Sequence, residues 1–219
     1  MIRRNEPNVD FVVFDLDGTL VDSRKDIAQA VNYGLETVGG SRLDEKMIYP
    51  LIGVPLEDIF LRLLPGELRE HAEAASEVYR KYYFEHCADN TTVYDGVLEC
   101  LDKLSPLPLA IATTKMTFQA RQVVEKLGLS SHFKVIMGCD NIPHKPHPAV
   151  LHLVVAALKM DGASGLMVGD TIYDIQAGQA ASMLTCAVTY GIGSLEDLES
   201  ANPDVLVSTL AQLPAVLEK

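Results

Sequence analysis

Basic residues are scarce in this chain of 219: 18 Lys and Arg stand against 30 Asp and Glu, a formal net charge of −12. A field of that sign repels nucleic acid and acidic membrane surfaces, so neither is expected as a partner. Any anion the chain binds must be held locally, by a cation or a ring of backbone N–H groups. Cysteine is also sparse. Cys87, Cys100, Cys139 and Cys186 lie 13, 39 and 47 positions apart, with no CxxC pair and no disulfide-framework density, and apolar neighbours suit them as small buried thiols in a reducing cytosol. No apolar run approaches the ~20 residues of a membrane span. The two arginines near the start are not followed by the apolar stretch of a signal peptide. Repeats, low-complexity tracts and Pro/Ser-rich linkers are missing. The histidines lack HExxH or HxH spacing. His132, His144, His147 and His152 read as loop and surface residues, while His71 and His86 share one expected helix. The expectation is a soluble cytoplasmic protein, monomer or homodimer, acting on a small molecule.

What is present is a core. At 48% hydrophobic and 22% charged residues, the composition is that of a globular protein, and the length allows one large domain or a main domain with a smaller second one. Phe11 to Phe14 is a β-prone apolar run without helical spacing, which predicts a strand buried on both faces. From Asp22 to Gly39, Ile27, Val31, Leu35 and Val38 recur at helical spacing, with Ser23 as N-cap and Gly39-Gly40 as stop. Further helices are predicted over Pro55 to Leu64 and Glu67 to His86, with no strand pattern across residues 23–87. After Tyr94, strands and helices alternate. Leu107 to Thr113 precedes Phe118 to Leu127, Phe133 to Met137 precedes Pro148 to Met160, and Gly165 to Val168 precedes Ile172 to Ala181. Strands at Leu184 to Thr189 and Asp204 to Val207 and a helix around Leu210 to Leu217 follow. This order implies an α/β fold: a parallel sheet flanked by helices, a Rossmann-like core of residues 1–22 and 88–219, with a small all-helical domain of residues 23–87 inserted after the first strand.

Ligands of such sheets sit beyond the carboxyl ends of the strands, where chemically able residues cluster in this sequence: Asp15 with Asp17, Thr113, Lys145, and Asp170 with Asp174. Two positions apart in an extended segment, Asp15 and Asp17 point the same way, and Gly18 permits a sharp exit. Alone, the group equally suits a turn. Asp170 and Asp174, four apart after Gly169, suit stacking on an opening helical turn, or simply N-capping. Gathering these carboxylates at one edge is costly without a cation. An oxygen-only set suits Mg²⁺, which keeps waters and accepts a phosphate oxygen. Metal plus Lys145 would neutralise an incoming phosphate, making a carboxylate nucleophile and an aspartyl-phosphate plausible, with a neighbouring carboxyl as acid and base.

DLDGTLVDS at 15–23, ATTK at 112–115, HKPHP at 144–148 and GDTIYD at 169–174 resemble, in order, the four motifs of the haloacid dehalogenase superfamily. The helical segment 23–87 resembles that family's cap domain. The resemblance implies a phosphatase in which Asp15 is the nucleophile and Asp17 the general acid/base. Thr113 and Lys145 would hold the phosphoryl group, with Gly18 and Thr114 adding contacts, although the family often carries Asn where this chain has Thr114. Mg²⁺ would be bound by the Asp15 side chain, the Asp17 backbone carbonyl and Asp170, with Asp174 completing or supporting the cluster. Dehalogenation is disfavoured because Asp17 is present, phosphonate cleavage because Ile52-Gly53-Val54-Pro55-Leu56 carries no lysine, and mutase chemistry by Thr19 after Gly18. KPHP around Lys145, VTYG at 188–191 and PDVLV at 203–207 resemble phosphoglycolate phosphatases. TTK, IGVPLEDIF and YRKYY resemble a related pyrophosphatase branch. Gly53-Val54-Pro55, Arg62, Arg80 and Lys81 would meet an anionic leaving group if the cap closes, or are solvated helix faces. The expected partner is a small phosphorylated metabolite. Rivals are a receiver-like domain storing a phosphoryl group as a switch, against which Asp17 and the helical insert argue, and a degenerate binding protein.

Overall fold

The structure is a computed structural model that describes residues 9–218. The arginines near the start, and the reading made of them, lie outside the described residues. The chain divides into two compact units, one running through Asp22 and resuming at Val93, the other spanning Ser23–Thr92.

In the first unit six strands form one all-parallel sheet. They are β1 (Phe11–Phe14), β4 (Leu109–Ala112), β5 (Val135–Met137), β6 (Gly165–Gly169), β7 (Leu184–Val188) and β8 (Val205–Val207), in the spatial order β5-β4-β1-β6-β7-β8. The two short strands between β1 and β4, β2 (Val21–Asp22) and β3 (Thr92–Val93), pair with each other where the chain leaves and re-enters this unit. β1 and β4 are buried at every position, as continuous apolar runs covered on both faces must be. Phe11 and Val13 pack with Ala110, Ala112, Val150, Leu151, Val154 and Met167 on one side of the sheet. Every predicted strand is present within a residue or two.

The helices are α1 (Arg24–Thr37), α2 (Glu45–Ile48), α3 (Leu56–Leu63), α4 (Ala72–His86), α5 (Val97–Leu104), α6 (Thr117–Lys126), α7 (Ala149–Leu158), α8 (Ile172–Ala180), α9 (Leu195–Ser200) and α10 (Leu213–Leu217). In the second unit α1 and α3 pack on α4. The helix predicted from Glu67 opens as a 3-10 turn over Gly66–His71 and becomes α-helical only at Ala72. Ser23 stands at the N-cap of α1, but its side chain makes no capping hydrogen bond, and Pro55 sits one position outside α3. α2, α5 and α9 are additions to the predicted helices. α5 is short, although Val97, Cys100, Leu101 and Leu104 are buried at helical spacing, and α9 buries only Leu198.

This helical unit runs to Thr92 rather than ending at residue 87, and Asp26 provides the reason. Its buried carboxylate accepts hydrogen bonds from the Asn90 backbone N–H (2.9 Å) and Nδ2 (2.7 Å) and from the Thr91 backbone N–H (2.8 Å) and Oγ1 (2.7 Å). The segment after α4 is thereby tied to the first turn of α1.

Candidate active site

The site is assembled at the carboxyl ends of β1, β4, β5 and β6, all in the first unit. β1 keeps its pairing one residue beyond its end, where the Asp15 N–H donates to the Val168 carbonyl at 2.8 Å. The chain then turns sharply. Leu20 and Val21 N–H groups donate back to the Leu16 carbonyl, and Gly18 adopts φ +89°. Glycine is required there twice over, because a Cβ at Gly18 would also lie 2.2 Å from Asp170 Oδ2. Asp15 and Asp17 leave this turn buried.

Lys145, in the loop between β5 and α7, joins elements distant in sequence. Its Nζ donates to Asp15 Oδ1 at 2.8 Å and to Asp174 Oδ1 at 2.6 Å. The other Asp174 oxygen accepts from Thr171 N–H and Thr171 Oγ1, forming a capping box at the start of α8. Capping and the link to Lys145 are therefore properties of one carboxylate. Asp170 lies two residues before α8 rather than on its opening turn, so the helical stacking predicted for the Asp170/Asp174 pair does not occur. They meet nonetheless: carboxylate oxygens of Asp15, Asp170 and Asp174 lie within 4.8 Å of one another. Asp170 is clamped by Thr19 Oγ1 and by the Ile192 N–H, each donating at 2.8 Å. Tyr190 O–H donates to the Thr19 carbonyl at 2.5 Å, tying the loop after β7 to the turn after β1.

The electrostatics follow from burial. Loss of water pushes the Asp15 carboxyl well above the usual carboxylate range; Lys145 pulls it down, while Asp174, Asp170 and Asp17 push it further up. Asp170 is pushed up to about 7 by burial and by Asp174, against the opposing hydrogen bonds from Ile192 and Thr19 and the charge of Lys145. Burial alone would lower the Lys145 ammonium, but Asp15 and Asp174 outweigh it and raise it above its ordinary value. Lys145 thus pairs with two of three neighbouring buried carboxylates, and burial together with the mutual repulsion raises the proton affinity of Asp15 and Asp170. An oxygen-only, buried, electron-rich set of this kind fits a small hard dication.

The remaining predicted residues are placed as follows. Thr113 is buried at the end of β4, beside β1; its N–H donates to the Met137 carbonyl and its Oγ1 accepts from the Lys115 N–H. Thr114 is half-buried next to it. The Asp17 side chain stands outside the group of three carboxylates and accepts from Lys115 Nζ at 2.8 Å. Arg62 and Lys81 are exposed and Arg80 is half-buried, all in the helical unit, as is the Gly53-Val54-Pro55 loop. Residues that sequence reasoning left without a role are Lys115, Tyr190 and Ile192. Thr19, read from the sequence only as disfavouring mutase chemistry, is a fourth. The available signals were the third polar residue of the run after β4 and the hydroxyl directly after Gly18.

These motifs on this sheet define the chain's family. It belongs to the haloacid dehalogenase-like hydrolases, whose family model matches residues 12–188, from β1 to the end of β7. It is 35% identical to "Probable phosphatase IndB" of Dickeya dadantii over 92% of this chain and 90% of that one. It is 36% identical to the phosphoglycolate phosphatase of Chromobacterium violaceum, covering 95% and 96%, and 30% identical to pyrophosphatase PpaX of Listeria innocua, covering 94% and 95%. A crystal structure of a predicted phosphoglycolate phosphatase from Haemophilus somnus superposes with a TM-score of 0.86 at 25% identity, covering 95% of this chain and 98% of that one. The chain is a phosphatase of this family. Storage of a phosphoryl group by a receiver-like domain, weighed above, is set aside.

Proposed function

We propose that this phosphatase hydrolyses a small phosphomonoester, phosphoglycolate first among candidates, through an aspartyl-phosphate on Asp15, with Mg²⁺ as cofactor. The observation that carries the reading is the buried juxtaposition of Asp15 with Lys145, Asp170 and Asp174. Asp15 has the position of a nucleophile, at the end of the central strand and held by an ammonium that favours its ionised form. Its oxygen forms a bond to phosphorus as the bond from phosphorus to the leaving oxygen breaks, and Asp17 gives that oxygen a proton. Asp17 then takes a proton from water, which attacks phosphorus and restores Asp15 as phosphate departs. Lys145 steadies the nucleophile and the transferring oxygens. Thr113, Thr114 and Gly18 contribute hydrogen bonds at the phosphoryl group. Mg²⁺ would be held by the Asp15 and Asp170 side chains and the Asp17 carbonyl, with Asp174 in support, and when bound it supplies positive charge against the phosphoryl oxygens.

The raised proton affinities of Asp15 and Asp170 support a cation at this place. Similarity to phosphoglycolate phosphatases over nearly the whole chain supports the substrate, and similarity to PpaX favours inorganic pyrophosphate as a second reading on the same core. The partner is then a phosphorylated metabolite of the cytoplasm, with no role for nucleic acid or membrane. The test is phosphate release with and without Mg²⁺ from phosphoglycolate, pyrophosphate, hexose phosphates, nucleoside monophosphates and an aryl phosphate. The expected result is Mg²⁺-dependent turnover with the highest kcat/KM on phosphoglycolate. A higher value on pyrophosphate would replace the substrate, and equal turnover in chelator would overturn the cofactor.

A further inference from the structure

Asp17 is paired with a lysine that the proposed reaction does not use. Lys115 Nζ lies 2.8 Å from Asp17 Oδ2, and the two side chains are only 8% and 9% exposed. The backbone at Lys115 is fixed. Its carbonyl accepts from the Cys139 N–H at 3.0 Å, and its N–H donates to Thr113 Oγ1. Gly138 presses so close that a Cβ there would lie 2.2 Å from the Lys115 carbonyl oxygen. Thr117 pins the same two loops together, accepting from the Gly138 N–H at 2.8 Å and donating its own N–H to Asp140 Oδ1 at 3.0 Å. The lysine therefore reaches toward Asp17 from an anchored base.

We propose that Lys115 is a specificity-determining residue that binds the anionic end of the leaving group, with the Asp17 carboxylate occupying the ammonium until substrate arrives. The inference rests on the role proposed above for Asp17. If Asp17 hands a proton to the leaving oxygen, that oxygen comes within hydrogen-bond reach of its carboxylate. Atoms one to three bonds beyond it then fall beside an ammonium held 2.8 Å from the same carboxylate. A carboxylate or a second phosphoryl group at that distance from the scissile bond suits the cation; a hydroxyl does not. Lys145 is engaged on the phosphoryl side by Asp15 and Asp174, so Lys115 divides the labour by serving the other side. A charged leaving group draws the ammonium off Asp17 and frees that carboxyl to take up from water the proton it then gives the leaving oxygen, whereas a neutral one leaves the ion pair in place. In a chain of net charge −12, a buried local cation is what lets a small multiply charged anion compete.

The test compares phosphoglycolate with 2-hydroxyethyl phosphate, which replaces the carboxylate by an alcohol, in wild type, Lys115→Met and Lys115→Arg. A charge-assisted hydrogen bond corresponds to about tenfold to a hundredfold in kcat/KM. Lys115→Met is expected to lose that factor more on phosphoglycolate than on the neutral ester, chiefly through KM, and Lys115→Arg to recover much of the preference. An undiminished preference in Lys115→Met, or an equal fall on both esters, overturns the inference while leaving the phosphatase reading intact. A wild type without preference for phosphoglycolate overturns both the inference and the substrate assignment. Activity remaining on the neutral ester reports that the Met variant is folded. Should it not fold, the arginine variant decides: a preference lost although the charge is kept and the protein folds also overturns the inference.

Discussion

Replacing Lys145 by Met removes the ammonium while keeping most of the stem volume. In the native protein that ammonium donates at 2.8 Å to Asp15 and 2.6 Å to Asp174, with its own side chain 1% exposed. Removing one partner of a buried pair typically costs about 3–5 kcal/mol, because the remaining charge is left uncompensated. Two carboxylates share this lysine, but they also repel each other and Asp170, so the penalty does not double. It has a definite pH dependence. Burial and the neighbouring carboxylates already hold Asp15 above its ordinary 3.8, and without Lys145 it rises further. A carboxyl with a folded value above its unfolded one binds more protons when folded between the two values, so stability falls as pH rises through that window. At mildly acid pH, where protonation relieves more of the uncompensated charge on Asp15, the cost shrinks toward that of the lost hydrogen bonds, about 1–2 kcal/mol. At about pH 8 the full ~3–5 kcal/mol is expected. Urea unfolding followed by far-ultraviolet circular dichroism, in chelator at both pH values, measures the difference. A loss below about 1 kcal/mol at the higher pH, or one of equal size at both, would refute the view that Lys145 compensates an over-charged carboxylate group.

Two further perturbations probe other parts of the chain. Gly18→Ala combines a left-handed backbone with a Cβ 2.2 Å from Asp170 Oδ2. It should cost on the order of 2–4 kcal/mol and weaken Mg²⁺ activation, and an unchanged melting temperature and metal titration would count against the described turn. Asp26→Ala strands four donors on Asn90 and Thr91, for an expected loss of about 2–4 kcal/mol with Asp26→Asn costing less; urea curves superimposable on wild type would remove the clasp from the account.

The strands were legible because burial on both faces leaves no periodicity to misread. FVVF, LAIA and GLMVG could hardly be anything else in an alternating chain. The chemistry was legible because parallel strands bring their carboxyl ends to one edge, so Asp15, Lys145, Asp170 and Asp174 could be gathered without knowing a distance. What stayed hidden was pairing. Nothing in the spacing of Asp17 and Lys115, 98 positions apart, says that they touch. Nor does the sequence say that Thr19 and Ile192 clamp Asp170, or that Asp26 holds Asn90. The stretch after α4 is opaque for the same reason: Asn90 and Thr91 carry no helical pattern, and only their hydrogen bonds to Asp26 tie them to the first turn of α1. Asp174 is a different case, since the capping and chemical readings seemed to exclude each other and its two oxygens satisfy both.

The position of β1 in the sheet has a consequence for how this chain is made. Among the described strands, the one that emerges first during synthesis has the most distant neighbours: Val12 pairs beside Leu109 on one side and Leu166 on the other. The inserted helices contact one another within residues 24–86, a shorter span than separates β1 from β4, and can collapse while the ribosome is still translating. The strand bearing Asp15 must wait for both its flanking strands. A nascent chain released before residue 169 would thus hold an apolar FVVF segment with one edge unpaired, followed by a helical domain, which gives chaperones reason to cover that tetrapeptide.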